Sequence, residues 1–214
     1  MTRLSFLVVA FLATAVPAFA ASVSVSLSDT HGAPAASAVV TLVPASAGAP
    51  VTSHVPEEAI IDQRHQMFLP LVVVVRQGGH VVFTNNDDTR HQVYSFSPIK
   101  QFQFEIEQGR KSEPVMFPKA GVAAIGCNIH DNMLAYVFVS DAPETIITDA
   151  KGTATLANIT PGTYHATIWH PRFMPGQLVT MDVVVTASGA TITRSLPLMA
   201  DKMSDMHRQH MQSY

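Results

Sequence analysis

Cys127-Asn128-Ile129-His130-Asp131-Asn132-Met133 concentrates chemistry-bearing residues in one short stretch. Cys127 is the only cysteine of the 214 residues, with a histidine three positions on and a methionine six positions on. His91 lies upstream, beyond the strand-like run Val81-Val82-Phe83-Thr84-Asn85. A thiolate, two imidazoles and a thioether form the donor set of a mononuclear blue-copper centre, trigonal in His2Cys with a weak axial Met. The thiolate stabilises Cu(I) and tolerates Cu(II), and the imidazoles suit both. A thioether is too weak for a full equatorial bond and suits a long axial one. Such a set barely rearranges on electron transfer. Zinc is the rival metal, but it usually recruits more Cys or His, and Met serves it poorly. A thiolate-bridged binuclear copper centre needs a second cysteine.

These donors converge only if the chain turns between them. Asn128, Asp131 and Asn132 are turn formers. The Val122–Cys127 run before them and the Leu134–Val139 run after them read as strands. Other strands are expected at Phe68–Val75, His80–Asn85, Gln92–Phe96, Phe102–Ile106 and Ser112–Phe117. His130, in the loop, is expected near the surface and His91 deeper. Asn132, Leu134, Phe96 and Pro98 are expected to form an apolar patch around His130.

Composition admits this chemistry and excludes others. Net charge is −3 and charged residues make up 14 %, so there is no strong field for nucleic acid or anionic lipid. Helical periodicity is almost absent before the C-terminal segment. Short Val-, Thr-, Phe- and Ile-rich runs between Gly, Pro, Asn and Asp clusters imply an all-β sandwich. Arg3, the apolar run Leu4–Val16 and Ala18-Phe19-Ala20 read as a cleavable signal over residues 1–20, cut after Ala20. The run is too short to span a bilayer, and no later segment is a candidate span. The expectation is therefore an exported, periplasmic protein. In that oxidising compartment a lone thiol makes no internal disulfide, and metal ligation gives it a use.

Residues 56–141 resemble the cupredoxins, in particular the plastocyanin- and amicyanin-like branch and the cupredoxin-type proteins of methylamine utilization. The residues that carry the resemblance are Phe83-x-Asn85-x-Asp87-x-x-x-His91-x-Val93 and Pro118-x-x-Gly121 leading into Cys127-x-x-His130-x-x-Met133. The short Cys-x2-His-x2-Met loop looks like that of amicyanin. The resemblance implies a Greek-key sandwich holding one type 1 copper on His91, Cys127, His130 and Met133. It also implies a one-electron carrier that docks to a redox partner, a dehydrogenase or a cytochrome. The alternative is a copper carrier or buffer without a relay role. Gly126 stands where plastocyanins have tyrosine, and Gln92 where many relatives have Asn or Ser. An enzyme such as a nitrite reductase needs a further catalytic copper, and His31, His54, His65, His80 and His165 have no spacing for one.

The flanks carry a second, more degenerate pattern. Val25-x-Leu27-x-Asp29-x-x-Gly32-x-Pro34 in residues 22–50 looks like the opening of a carboxypeptidase-regulatory or transthyretin-like, Ig-like sandwich. Thr148-Asp149-x-x-Gly152-x-x-x-Leu156-x-x-Ile159-x-Pro161-Gly162-x-Tyr164 in residues 145–197 looks like its continuation. The copper block is then either inserted into that second small sandwich or in simple tandem with it. His165 and His170 are expected to be solvent-facing. Residues 198–214 form a polar tail with Met203, Met206, His207, His210 and Met211. On a helix Met203, His207, His210 and Met211 would share one face. The plainer alternative is a solvated tail.

Overall fold

The computed structural model describes residues 21–46 and 54–200. The expected signal segment and most of the Met/His tail lie outside them. The fold is all-β, as expected, with sixteen strands among the described residues. Among the described residues no helix is long and apolar enough to cross a membrane.

Strands β3 (Glu58–Arg64), β4 (Met67–Leu69), β6 (His80–Asn85) and β9 (Val115–Met116) form one sheet, in the order β4-β3-β6-β9. Strands β5 (Val72–Arg76), β7 (His91–Ser95), β8 (Phe102–Ile106), β10 (Gly121–Cys127) and β11 (Leu134–Ser140) form another, ordered β5-β11-β10-β7-β8. Alternation along β10 and β11 drives their packing. Ala123, Ile125 and Cys127, with Ala135, Val137 and Val139, turn inward to meet Ile61, Val75, Phe83 and Phe117. The opposite face of β11 is also covered: Tyr136 and Phe138 pack edge-on or tilted against Trp169, with ring centroids 5.5 and 5.7 Å apart. Cover on both faces explains why β5 is a run of four valines rather than an alternating strand.

The flanking segments interleave. Strands β1 (Ala21–Asp29), β13 (Thr153–Ile159) and β16 (Ala190–Leu196) form a sheet ordered β13-β1-β16. Facing it are β2 (Val39–Pro44), β12 (Glu144–Ile147), β14 (Gly162–Trp169) and β15 (Val179–Val185), ordered β12-β2-β14-β15. Ala21, Val23, Val25 and Leu27 alternate with outward serines and share a core with Leu42, Ile159, Ile168 and Leu196. The early strands thus occupy interior positions in sheets whose other members all follow residue 143. The two motif halves touch directly. Leu27 N–H donates to Gly152 O at 2.8 Å, and a Cβ on Gly152, whose φ is +72°, would lie 2.2 Å from Leu27 O. Buried Thr148 ties them again, its hydroxyl donating to Ala35 O at 2.7 Å and accepting from Ala38 N–H at 3.0 Å.

Three expectations need correction. Phe68–Val75 is not one strand: it breaks at the cis Leu69–Pro70 bond, and its halves join different sheets. Pro70 has no N–H to give a ladder. Ser112–Phe117 shortens to Val115–Met116, with Pro114 ending the pairing. Strand β3 was not expected, because its charged ends mask a single inward pair, Ile61 and Gln63.

Candidate metal centre

His91 opens β7 and Cys127 closes β10. The two strands are antiparallel neighbours with Cys127 opposite Val93 and Gly126 opposite Tyr94. This register carries the cysteine sulfur to the first histidine: Cys127 Sγ lies 3.6 Å from His91 Nδ1. Two donors of one ion stand about this far apart when each bond is about 2.0–2.3 Å. The turn after Cys127 returns His130. Asn128 N–H donates to Gln92 O at 3.0 Å, and Met133 N–H closes the turn on His130 O at 3.1 Å. The His91 and His130 rings are then 5.1 Å apart. One ligating atom from each of His91, Cys127 and His130 lies within 4.8 Å of the others. Met133, at 2 % exposure, belongs to the same core cluster as Cys127.

Burial differs between the imidazoles as expected. His91 is fully buried and His130 half-buried. His130 Nδ1 is nevertheless inaccessible and, with Gln63 Oε1, is one of two buried side-chain polar atoms without a hydrogen-bond partner among the described residues. Such atoms are rare, and a bound metal would satisfy this one. The donor chemistry and the orphaned nitrogen both fit copper.

The first motif positions His91. Asn85, buried, donates through Nδ2 to Thr89 O at 2.8 Å and to Ile106 O at 2.9 Å. Its Oδ1 accepts from Asp87 N–H at 3.0 Å. The loop so shaped puts Asp87 Oδ2 3.1 Å from His91 Nε2. Burial pushes the Asp87 carboxyl up. Hydrogen bonds from Gln66 N–H, His91 and Asp88 N–H outweigh it and hold the group below its usual value. The ionised carboxylate accepts the Nε2 proton, which leaves the Nδ1 lone pair facing Cys127. Burial lowers the His91 pKa; Asp87 opposes that shift and His130 adds to it.

Gln92 holds the loop after Cys127, accepting from Asn128 Nδ2 at 2.7 Å. At Gly126 the ring of Tyr94 occupies the space a side chain would take. Next to His130 on the loop, Ile129 is 46 % exposed; Phe96, at 70 %, and Pro98 are exposed too, but the β7–β10 register carries them along the strand past Gly126, away from the loop, so the patch expected around His130 does not include them. Ile129 was not expected there; its place between Asn128 and His130 on the loop is the signal for it. Leu134 faces elsewhere, into a cavity of about 210 Å³ between the two sandwiches, with Tyr136, His170 and Arg172.

Two other histidines differ from each other. His165 is exposed and pairs with Asp182 at 2.6 Å. His170 is buried, contrary to expectation. Its Nε2 donates to Ala36 O at 3.0 Å and its Nδ1 accepts from Arg172 N–H at 3.0 Å. It pins the loop after β14 to the β1–β2 connection.

Fold and site together define an all-β chain with a His2Cys cluster at one end of a two-sheet sandwich. Among solved structures, similar ones are cupredoxins or contain one. A purple cupredoxin from Nitrosopumilus maritimus is 23 % identical, with TM-score 0.35, over 38 % of this chain and 99 % of that one. Amicyanin from Paracoccus versutus is 21 % identical, with TM-score 0.36, over 47 % of this chain and 98 % of that one. A copper-containing nitrite reductase from Thermus scotoductus is 22 % identical, with TM-score 0.36, over 46 % of this chain but only 25 % of the reductase. No protein-family model and no curated protein matches the chain.

Proposed function

We propose that this chain is an exported, periplasmic cupredoxin-type protein that carries single electrons on one type 1 copper. The observation that carries the reading is the convergence of His91, Cys127 and His130 within 4.8 Å around an unpartnered imidazole nitrogen. These three residues would hold the metal, and Met133, buried in the same core cluster, would add a weaker thioether donor. Copper so bound supplies a one-electron couple whose two states accept the same donors. The protein's own residues fix that geometry beforehand. Asp87 sets the His91 tautomer, Gln92 and the turn bond Met133 N–H to His130 O set the loop, and the apolar core excludes water. His130 and the exposed side chain of neighbouring Ile129 offer a short exit toward a transient redox partner, a dehydrogenase or a cytochrome. The pairing of β1 and β2 with strands after residue 143 favours insertion of the copper sandwich, residues 56–141, into an outer sandwich of residues 22–50 and 145–197.

The test is the visible and electron paramagnetic resonance spectrum of metal-free mature protein given Cu(II). An intense thiolate-to-copper band is expected at about 450–600 nm, absent from Cys127→Ser. A wild-type protein that binds Cu(II) without that band would refute the thiolate-ligated centre.

A further inference from the structure

A second cavity, of about 620 Å³, opens along the seam between the copper sandwich and the outer one. Three edge strands meet there: β5, β12 and β13 each stand at the end of their sheet's order and each contribute to its lining. Two of these edges are blunted. Strand β12 has only four residues. In β13, Ala21 pairs with Ile159 but Val23 with Leu156, so Ala157 and Asn158 bulge out of the β1 ladder. Asn158 takes φ +62° in that bulge, a left-handed backbone that asparagine tolerates better than most residues. Short and bulged edges resist pairing with a further strand, so the cleft suits a compact ligand rather than an extended peptide. Small-molecule sites are commonly about 300–1,000 Å³ and favour the seams between domains.

The lining says which ligand. Val72 and Val74 of β5, Ile146 and Ile147 of β12 and Leu156 of β13 make it mostly apolar. Its one carboxylate is that of Glu144, whose side chain is only 7 % exposed. His54 Nδ1 donates to Glu144 Oε2 at 3.0 Å and stands 3.1 Å from Oε1. A neutral imidazole gives a hydrogen bond but no charge, and no Lys or Arg lines the cavity. A carboxylate largely withdrawn from water beside an apolar wall is stabilised by a positive partner. Asn158, on the bulge, adds an amide to the same lining.

We propose that this cavity binds a small organic cation, its apolar body against the valines and isoleucines and its N–H donors on the Glu144 carboxylate. Anions of the same size are repelled by that carboxylate. The site is independent of the copper reading, since neither Glu144 nor His54 belongs to the His91, Cys127 and His130 cluster. A ligand seated there touches β5 of the copper sandwich and β12 and β13 of the outer one, and so ties the two together.

Hexylguanidinium is the probe, because its planar head matches a carboxylate with two parallel N–H donors. It is titrated calorimetrically into the full mature chain without metal, beside hexan-1-ol and hexanoate. One saturable site is expected, with the cation bound at least about tenfold more tightly than the alcohol and hexanoate not bound. Glu144→Gln keeps the shape and an acceptor for His54 but removes the charge, and it should weaken the cation at least about tenfold. Ala157→Phe leaves the carboxylate in place and fills the cavity from an exposed position on the bulge, so it should abolish binding while the urea midpoint stays that of the wild type. Methyl resonances of Val72, Val74, Ile146 and Ile147 should shift with the cation, and those of Val93 and Ile125, in the core beside Cys127, should not. The absence of saturable binding, or equal affinity in the wild type, Glu144→Gln and Ala157→Phe, would overturn the site. Equal affinity for the alcohol and the cation would overturn the choice of a cation. All of these readouts use metal-free protein, so a failure of the copper centre does not alter them.

Discussion

The ring of Tyr94 lies against the bare backbone of Gly126: a Cβ there would sit 2.6 Å from Tyr94 Cζ and 2.7 Å from its Oη. The two residues are cross-strand partners on β7 and β10, and Gly126 directly precedes Cys127. Plastocyanins place a tyrosine at this point of the cysteine strand. Here the neighbouring strand supplies the aromatic ring, whose centroid stands 4.9 Å from that of exposed Phe96. Gly126→Ala must displace either the ring or the cysteine strand, at about 1–3 kcal/mol as for overpacking elsewhere. Tyr94→Ala empties the space, so the double variant should recover part of the Gly126→Ala loss. Urea unfolding of the four proteins gives the coupling; additive losses would show that the ring moves freely.

Asp87 should tune the centre through His91. Its carboxylate, 3.1 Å from Nε2, strengthens the imidazole as a donor and favours Cu(II). Asp87→Asn keeps the shape and removes the charge. It should raise the reduction potential and weaken Cu(II) binding by about 10–100-fold, with the thiolate band retained. Voltammetry that finds an unchanged potential would mean that Asp87 only shapes the loop.

Met133 should set the potential from the axial side. Met133→Gln, a stronger axial donor, should lower the potential, and Met133→Leu should raise it. The leucine conserves volume at a site only 2 % exposed, so its cost in stability should stay under about 1.5 kcal/mol. Potentials that agree between the two variants would place Met133 in the core without contact to the metal.

Acid should weaken the metal-free protein in two separate windows. Burial sets the folded-state pKa of His91 below its usual 6.5. Between that lowered value and 6.5 the unfolded chain binds the extra proton, so stability falls as pH falls through this window. Asp87 lies below its usual 3.8 in the folded state; its contribution is present above 3.8 and is lost as pH drops through the lowered value. The urea midpoint should be flat near about pH 8 and decline below about 6.5. His91→Gln should remove the upper decline and keep the lower one. A wild-type midpoint that stays level to pH 4 would contradict the assignment.

The local site was legible in sequence because its donors sit on one loop and one strand start. Cys-x2-His-x2-Met needs only a turn and two flanking strands, and both flanks, Val122–Cys127 and Leu134–Val139, are short apolar runs bounded by turn formers. The groups that tune it depend on pairings across strands. Tyr94 meets Gly126 only through the β7–β10 register, and Leu134 turns away from His130 because an outer sandwich covers that side of β11. Strand β3 hid because its main partner, β6, pairs in parallel from elsewhere in the chain, and its own residues carry one buried polar group, Gln63, in place of a clean apolar stripe. His170 looked like a solvent-facing histidine because the Ala36 carbonyl that buries it lies 134 residues away.

The parallel pairing of β1 with β16, in register from Val23 opposite Ala190 to Asp29 opposite Leu196, has a mechanical consequence. A pull applied at residues 21 and 196 loads these neighbouring strands in shear, with seven residue pairs resisting together. The tension runs through the outer sandwich alone. The chain between β2 and β12, which carries His91, Cys127 and His130, stays slack until that pairing gives way, so the candidate metal centre is shielded from such a force for as long as the β1–β16 pairing holds.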